Sequence, residues 1–126
     1  MDWKGMFLPR VGRRVEPFES LAPPDGADLE RLEELRAAGS KLELPHPVRA
    51  FVSFAAESDA RAAMEAIEQH GFRTRLHAEA DGSWTVTAIY TLVPTPGGIT
   101  KIRELLASAS ELHGGRYLGW QAPPIY

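Results

Sequence analysis

The stretch FRTRLHAEADGSWTVTAIYTLV, residues 72–93, decides the fold because it has the pattern of a β-hairpin. Weakly polar and charged side chains alternate from Phe72 to Ala80, with the period of two that a strand with one buried face shows. Asp81-Gly82 is among the strongest short hairpin signals. Residues 84–93 are rich in aromatic and β-branched side chains, which favour strands. We therefore predict two strands, over 72–80 and 84–93, joined by a tight turn.

The sequence on each side of this hairpin supplies one more helix and one more strand. Upstream, Val48–Ala55 alternates as a strand, and Ser58 is the predicted N-cap of the helix that follows. Downstream, Thr95-Pro96 begins a helix with a wide apolar face, Gly114-Gly115 ends it, and 116–121 form a last strand. The order β-α-β-β-α-β predicts an α+β fold of the ferredoxin-like, split βαβ type. Its four-stranded antiparallel sheet carries both helices on one face.

One further helix and a proline-rich arm precede this pattern. We predict that residues 1–24 form an extended N-terminal arm and that residues 25–126 form a single domain led by an extra helix. In this helix, Leu29, Leu32 and Leu35 are predicted to line one apolar face, and Asp28 suits the positive end of the helix dipole. Charge is uneven, since residues 1–16 hold four basic residues against two acidic ones, whereas residues 25–43 hold six acidic against three basic.

Composition excludes several classes of protein. The 126 residues carry a net charge of −3, too mild to indicate a binder of polyanions by charge alone. The absence of cysteine excludes disulfide scaffolds, cysteine-ligated zinc, iron–sulfur clusters and thiol catalysis. No apolar run is long enough for a secretory signal or a membrane-spanning helix, so we expect a cytoplasmic protein.

No motif in the sequence predicts catalysis, a metal or a cofactor. The chain has neither a nucleophile elbow nor a phosphate-binding loop, and its helix carboxylates lie on faces that we expect to be solvated. The four histidines show no spacing typical of metal ligands, and each is expected at a helix end or at an exposed strand position. They are His46, His70, His77 and His113. We therefore predict a protein that is not an enzyme.

Two runs of sequence resemble the regulator of ribonuclease activity B family. They are YTLVPT at residues 90–95 and HGGRYLGW at residues 113–120, and the resemblance extends over about residues 27–122. It implies a ferredoxin-like domain without catalysis that binds ribonuclease E and lowers its cleavage of RNA. The glycines of the second run also have a structural explanation, since Gly114 and Gly115 allow positive φ after the last helix. Tyr117 and Trp120 are expected to pack in the core or at its edge.

Strand alternation predicts which residues lie on the sheet face that the helices leave open. If Val48, Val52, Leu76 and Val86 point at the helices, a basic set with one phenylalanine and one isoleucine points outward. The outward set is Arg49, Phe51, Ser53, Arg73, Arg75, His77, Thr85, Thr87 and Ile89. Exposed apolar side chains ringed by polar ones are typical of interaction sites. The residues predicted to bind a partner are Arg49, Phe51, Arg73, Arg75 and His77.

Three occupants of this open face remain possible at the level of sequence. A protein partner, by resemblance ribonuclease E or its degradation assembly, is the first, and a second copy of the chain is another. Direct RNA binding is disfavoured because residues 84–90 lack the aromatic pattern of RNA-recognition motifs, unless Trp84 and Tyr90 face outward. A small-molecule sensor or a dimeric barrel is a further alternative, and it predicts a pocket with convergent polar groups.

Overall fold

The computed structural model describes residues 18–126, which form three helices and one four-stranded sheet. The elements in chain order are α1 (Gly26–Ala37), β1 (His46–Phe54), α2 (Glu57–Glu68), β2 (Arg73–Ala78), β3 (Trp84–Leu92), α3 (Pro96–Glu111) and β4 (Arg116–Gln121). The strands lie in the order β2-β3-β1-β4, and every neighbouring pair is antiparallel. The predicted α+β fold and its β-α-β-β-α-β order after a leading helix are therefore confirmed. Residues 1–17 of the predicted arm, with all its arginines, lie outside the described residues.

The hydrophobic core lies on one side of the sheet. In the two central strands, β1 and β3, the even-numbered residues from Val48 to Phe54 and from Val86 to Ala88 are buried. Helices α2 and α3 cover them with side chains that are fully buried, namely Ala60, Ala63, Ile67, Ile99, Ile102 and Leu106. The inward orientation predicted from alternation holds in all three strands concerned, although Leu76 in the edge strand β2 is only half-buried.

The β2–β3 hairpin has a longer loop than predicted. Strand β2 ends at Ala78, and the Glu79 N–H donates to the Ser83 carbonyl at 2.9 Å. Among the residues of this loop only Gly82 has a positive φ, of 91°. The Asp81 carboxylate accepts hydrogen bonds from the Ser83 hydroxyl at 2.7 Å and the Ser83 amide at 2.9 Å. Both bonds favour the ionised carboxylate, so the pKa of Asp81 lies below its ordinary value.

Helix α1 turns a different face to the core than the leucine spacing predicts. Leu32 and Leu35 are buried as expected, but Leu29 is 43% exposed, so the prediction for Leu29 is wrong. Asp28 takes its place and is only 2% exposed. The inward positions are therefore 28, 32 and 35, spaced i, i+4 and i+7. The acid at Asp28 is held there by partners from distant parts of the chain, which are described with the site below.

The starts of the other two helices follow local capping to different degrees. Helix α3 begins as predicted, because the Thr95 hydroxyl accepts a hydrogen bond from the Gly98 amide at 3.0 Å. Helix α2 begins after Ala56, which makes no side-chain capping bond, and Ser58 lies within its first turn. The predicted cap at Ser58 is therefore wrong. No helix within residues 18–126 has both the length and the apolar character needed to cross a membrane.

The last residues of the predicted arm pack against the start of α3. The Phe18 ring stacks on Tyr90 with centroids 4.4 Å apart, and the Ser20 amide donates to the Gly97 carbonyl at 2.9 Å. A Cβ at Gly97 would lie 3.3 Å from Glu19 Cβ. A glycine at this position therefore lets the chain at residues 18–20 approach the helix closely.

Strand β4 contains a β-bulge that reverses its alternation. Two consecutive residues of β1 pair with Gly119 and Tyr117, so Leu118 is an extra residue in β4. Gly119 has a φ of 126° at this bulge. As a result Tyr117 and Trp120, which are three residues apart, pair with two β1 residues of the buried face. Trp120 is buried and Tyr117 packs against the core, as the sequence predicts.

The two glycines that end α3 act in different ways. Gly114 has a φ of 72°, as predicted for the residue after a helix. Gly115 has no positive φ, so the prediction is wrong for that residue. A Cβ at Gly115 would lie 2.5 Å from Phe54 Cε2 and 2.8 Å from Ser110 Cβ. Glycine is therefore required there because Phe54 and α3 approach the backbone too closely for any side chain.

His46, the first residue of β1, is buried, contrary to the predicted exposed position. Its Nδ1 donates to the Leu44 carbonyl at 2.7 Å, and its Nε2 lies 2.6 Å from the Ser40 hydroxyl. The same hydroxyl accepts from the Ile125 amide at 2.8 Å, and the Lys41 amide donates to the Ile125 carbonyl at 2.6 Å. The C-terminal tail is thereby bonded to the residues that follow α1.

Candidate functional site

The side of the sheet opposite the helices, which we call the outer sheet face, brings together all five residues predicted to bind a partner. Strand pairing arranges them in rows across β2, β3 and β1. Arg73 and Arg49 both pair with Ile89. Arg75 and Phe51 both pair with Thr87, and His77 pairs with Thr85, which faces Ser53. Arg49, Arg73, Arg75 and His77 are exposed, whereas Phe51 is half-buried.

The rows place positive charge around a small apolar floor. Neighbouring strands lie about 4.8 Å apart, so the Cα atoms of Arg49 and Arg73 are roughly 10 Å apart with Ile89 between them. Phe51 and Ile89 lie on adjacent strands, two residues apart in register. A shallow depression of about 390 Å³ is lined by Arg49, Phe51, Arg73, Arg75, Ile89, Pro47 and Thr87. This arrangement suits a segment with acidic groups and an apolar side chain.

Strand β4 extends the outer sheet face with residues that the sequence analysis missed. Arg116 pairs with Ser53, Gly119 with Phe51 and Gln121 with Arg49. Gly119 has no side chain, and a Cβ at this position would meet nothing within 4 Å. This placement was not predictable from alternation because of the bulge. Strict alternation counted from the buried Trp120 would place Arg116 on the buried face as well. If Tyr117 and Trp120 are both taken to face the core, β4 must contain one extra residue between them. Alternation counted from Tyr117 then places Arg116 on the outer sheet face.

The arginines of the outer sheet face have no acidic partner among the described residues, so they are available to a ligand. None of Arg49, Arg73, Arg75 and Arg116 forms an ion pair with another residue of 18–126, whereas four other arginines of that range do. The positions paired across the outer sheet face carry no aspartate or glutamate. The face therefore presents four like charges, which favours an anionic partner.

A second polar cluster lies at the other edge of the sheet, under α1. The buried Asp28 carboxylate accepts from Arg103 Nη2 at 2.8 Å, from Arg103 Nε at 3.2 Å and from Trp120 Nε1 at 3.0 Å. Although partial burial opposes it, the bonds to Asp28 raise the pKa of Arg103. Its guanidinium also lies 4.8 Å from the centroid of the Tyr117 ring. The cluster joins α1, α3 and β4, and it gives Trp120 of the HGGRYLGW run a structural role.

Tyr117 is the least satisfied member of this cluster. Its hydroxyl is buried and has no hydrogen-bond partner among the described residues. Burial disfavours the phenolate, so the pKa of Tyr117 lies above its ordinary value. A depression of about 350 Å³ opens beside it, lined by Asp28, Arg31, Arg103, Tyr117, Trp120 and their neighbours. Since Asp28 and Arg103 bind each other, their charges stabilise the fold and are not free for a ligand.

The structure also locates the other residues considered in the sequence analysis. Trp84 and Tyr90 lie on the helix side of the sheet, where Tyr90 contacts Phe18 and Phe72. They are therefore unable to stack bases on the outer sheet face. Within residues 18–126, no group of three histidine, aspartate or glutamate side chains is placed to hold a metal ion. His70 and His77 are exposed and His46 is buried, and in the described part of the chain they belong to no group that could hold a metal ion.

Comparison with known proteins gives the same family that the runs YTLVPT and HGGRYLGW resemble. The family model described as regulator of ribonuclease activity B matches residues 26–122, which include both runs, all four strands and all three helices. No curated protein and no solved structure gives a significant match. The matched range covers most of the chain, from the first residue of α1 to just beyond the end of β4. The chain therefore belongs to the regulator of ribonuclease activity B family.

Proposed function

We propose that this chain is a non-catalytic regulator that binds ribonuclease E, or the RNA-degradation assembly that contains it, and inhibits endonucleolytic cleavage of RNA. Membership of a family of ribonuclease regulators supports the regulatory role. Inhibition would come from occupying the partner, with no reaction and no cofactor on this chain. The binding residues that we propose are Arg49, Phe51, Arg73, Arg75 and His77.

The observation that carries this proposal is the composition of the outer sheet face. Three arginines without counter-ions in the described chain surround Phe51 and Ile89, on a rigid sheet. Hot spots of protein interfaces are typically aromatic residues and arginines at the centre of the contact. An acidic segment of the partner would find both charge complementarity and an apolar anchor there.

The same geometry argues against the alternatives. A two-fold dimer through the outer sheet face would bring the arginine rows of both copies together, and like charges repel. Base stacking needs aromatic side chains on the central strands, and Phe51 is the only one on this face in residues 18–126. A small-molecule module needs free convergent polar groups, but beside Tyr117 Asp28 pairs with Arg103, and Arg31 pairs with Glu34.

The test is charge reversal on the outer sheet face. We compare the wild-type chain with Arg73→Glu/Arg75→Glu, and we use Lys41→Glu/Lys101→Glu as a control with the same change in net charge at positions outside this face. Binding to purified ribonuclease E and inhibition of its cleavage of an RNA substrate are measured side by side. Each exposed charge pair contributes up to about 1 kcal/mol, so reversal of two should weaken binding by about tenfold or more.

Each result has a distinct meaning. Loss of binding and inhibition in the arginine variant, with an unchanged thermal midpoint and an unaffected lysine control, is the expected outcome. Equal weakening of both variants would show that only net charge matters and would remove the outer sheet face as the site. Failure of the wild-type chain to bind ribonuclease E in the presence and absence of RNA would overturn the proposed partner. Steeply salt-dependent binding to RNA alone would favour the RNA-binding alternative.

A further inference from the structure

An apolar groove lies on the helix side of the molecule, between α1 and the junction of β3 with α3. Its volume is about 490 Å³, within the range of roughly 300–1,000 Å³ typical of binding sites. The walls are mostly apolar and consist of Leu29, Leu32, Leu42, Val93, Pro94 and Pro96. Leu29 and Val93 are 43% and 40% exposed, so the groove presents large apolar side chains to solvent. Such exposure next to polar residues marks an interaction site.

The groove gives a role to Val93, a residue of the YTLVPT run that packing in the core does not explain. In the run YTLVPT, Tyr90 and Leu92 pack against the core, and Thr95 caps α3. Val93 makes neither contribution, because it points to solvent and lines the groove. Leu29, which its spacing predicted to lie in the core, likewise lines the opposite wall of the groove.

The charges around the groove are acidic. Glu33, Glu43 and one basic residue, Arg36, line it. Glu33 and Arg36 neutralise each other, because Arg36 Nε donates to Glu33 at 3.1 Å, and Glu43 remains as the lining charge without an ion pair among the described residues. Glu19 stands at the Thr95 end, where it accepts a hydrogen bond from the threonine hydroxyl at 2.9 Å. The groove thus has an apolar floor with a net negative rim, which is opposite in charge to the outer sheet face.

We propose that this groove binds a segment of a partner protein in which large apolar side chains are flanked by basic residues. The groove is separate from the outer sheet face, so it stands whether or not that face binds ribonuclease E. Apolar anchors provide the affinity, and the acidic rim selects the basic flanks.

The test uses the full chain and three labelled peptides, with binding followed by fluorescence anisotropy. The probe is Lys-Lys-Leu-Phe-Leu-Lys-Lys, and the comparison peptides carry glutamates in place of the lysines or serines in place of the apolar residues. The groove variants are Leu29→Asp and Val93→Asp. The matched control is Leu21→Asp, because Leu21 is fully exposed and does not line the groove. Thermal midpoints verify that each variant is folded.

We expect the lysine-flanked peptide to bind the wild type and the Leu21 variant equally, and either groove variant about tenfold more weakly or worse. The serine peptide should not bind, and the glutamate peptide should bind about tenfold more weakly. No binding of the probe, equal binding of the lysine and glutamate peptides, or unchanged affinity in the groove variants would each overturn the proposal. Residues 1–17 contain Met6-Phe7-Leu8 between Lys4 and Arg10. If Phe7→Ser/Leu8→Ser raises the affinity for the probe, the chain's own sequence is the occupant and the partner proposal is wrong.

Discussion

The buried carboxylate of Asp28 offers the sharpest prediction for stability, because it accepts three hydrogen bonds from groups 75 and 92 residues away in sequence. Asp28→Ala removes all three. The Trp120 N–H is then buried without a partner, which costs about 1–3 kcal/mol. The Arg103 guanidinium also loses its closer counter-ion and, among the described residues, keeps only Asp25, at 3.9 Å. A fully buried pair broken in this way costs about 3–5 kcal/mol, but the Arg103 side chain is 30% exposed and water replaces part of the loss.

We therefore expect Asp28→Ala to lower the free energy of unfolding by about 3 kcal/mol. For a domain of this size that corresponds to a fall of roughly 10–15 °C in the midpoint of thermal unfolding. Asp28→Asn keeps an oxygen for Trp120 and loses the charge, so its cost should be smaller, about 1–2 kcal/mol. The control is Glu30→Ala in the same helix, which is exposed and should change stability by less than about 0.5 kcal/mol.

Urea denaturation followed by circular dichroism measures these differences, and a double-mutant cycle with Arg103→Met measures the coupling. If the pair is as described, the two substitutions together should cost about 1 kcal/mol less than the sum of their separate effects. Additive effects, or an Asp28→Ala variant as stable as Glu30→Ala, would refute the reasoning that this cluster ties α1 to α3 and β4.

Three further predictions test packing and protonation. Gly115→Ala should lower the free energy of unfolding by about 1–3 kcal/mol because its Cβ would overlap a buried phenylalanine ring, whereas Gly26→Ala, whose Cβ would meet nothing within 4 Å, should be neutral or stabilising in chemical denaturation. Tyr117→Phe should raise stability by about 1 kcal/mol because the hydroxyl is buried without a partner. Since the folded state raises the pKa of Tyr117, the wild type should lose stability as the pH rises above about 10, and the phenylalanine variant should lose less; a pH series of thermal midpoints checks both. Ser83→Ala removes the hydroxyl bond and keeps the backbone amide bond, so it should raise the pKa of Asp81 partway toward its ordinary value, as followed by NMR titration. The small stabilisation that the ionised Asp81 gives the folded state is lost as the pH falls through its lowered pKa, and it should be smaller in this variant. An unchanged Asp81 titration in the Ser83 variant would contradict the hydrogen bonds described.

Much of the fold was predictable because it is written in local patterns. The alternation of β1 and β3, the glycine of the hairpin and the threonine cap of α3 each depend on residues within a few positions of each other. Alternation also predicted which residues lie on the open face, so the placement of Arg49, Phe51 and Arg75 on that face was predictable from sequence.

What sequence could not predict depends on distant partners. An aspartate in the first turn of a helix is explained by the dipole alone, and nothing near Asp28 shows that Arg103 and Trp120 will meet it. Leu29 was wrongly predicted to lie in the core for the same reason. Spacing alone favours a leucine at a buried position, and it does not show that Asp28 has partners that allow its burial. The bulge at Leu118 likewise depends on the pairing of β4 with β1, and it moved Arg116 to the outer sheet face unpredicted.

The bonds between the beginning and the end of the domain have a consequence for how the protein is made. Helix α1 emerges from the ribosome 92 residues before Trp120, and the loop after it emerges 85 residues before Ile125. At about 5–20 residues per second, α1 waits roughly 5–20 s for these partners. During that time Asp28 lacks Trp120 and Ser40 lacks Ile125, and the core that buries Leu32 and Leu35 is incomplete. The central strands β1 and β3 are both synthesised before β4, so α1 meets its partners only after β4 has emerged, and a ribosome that pauses within β4 would hold the chain with α1 undocked.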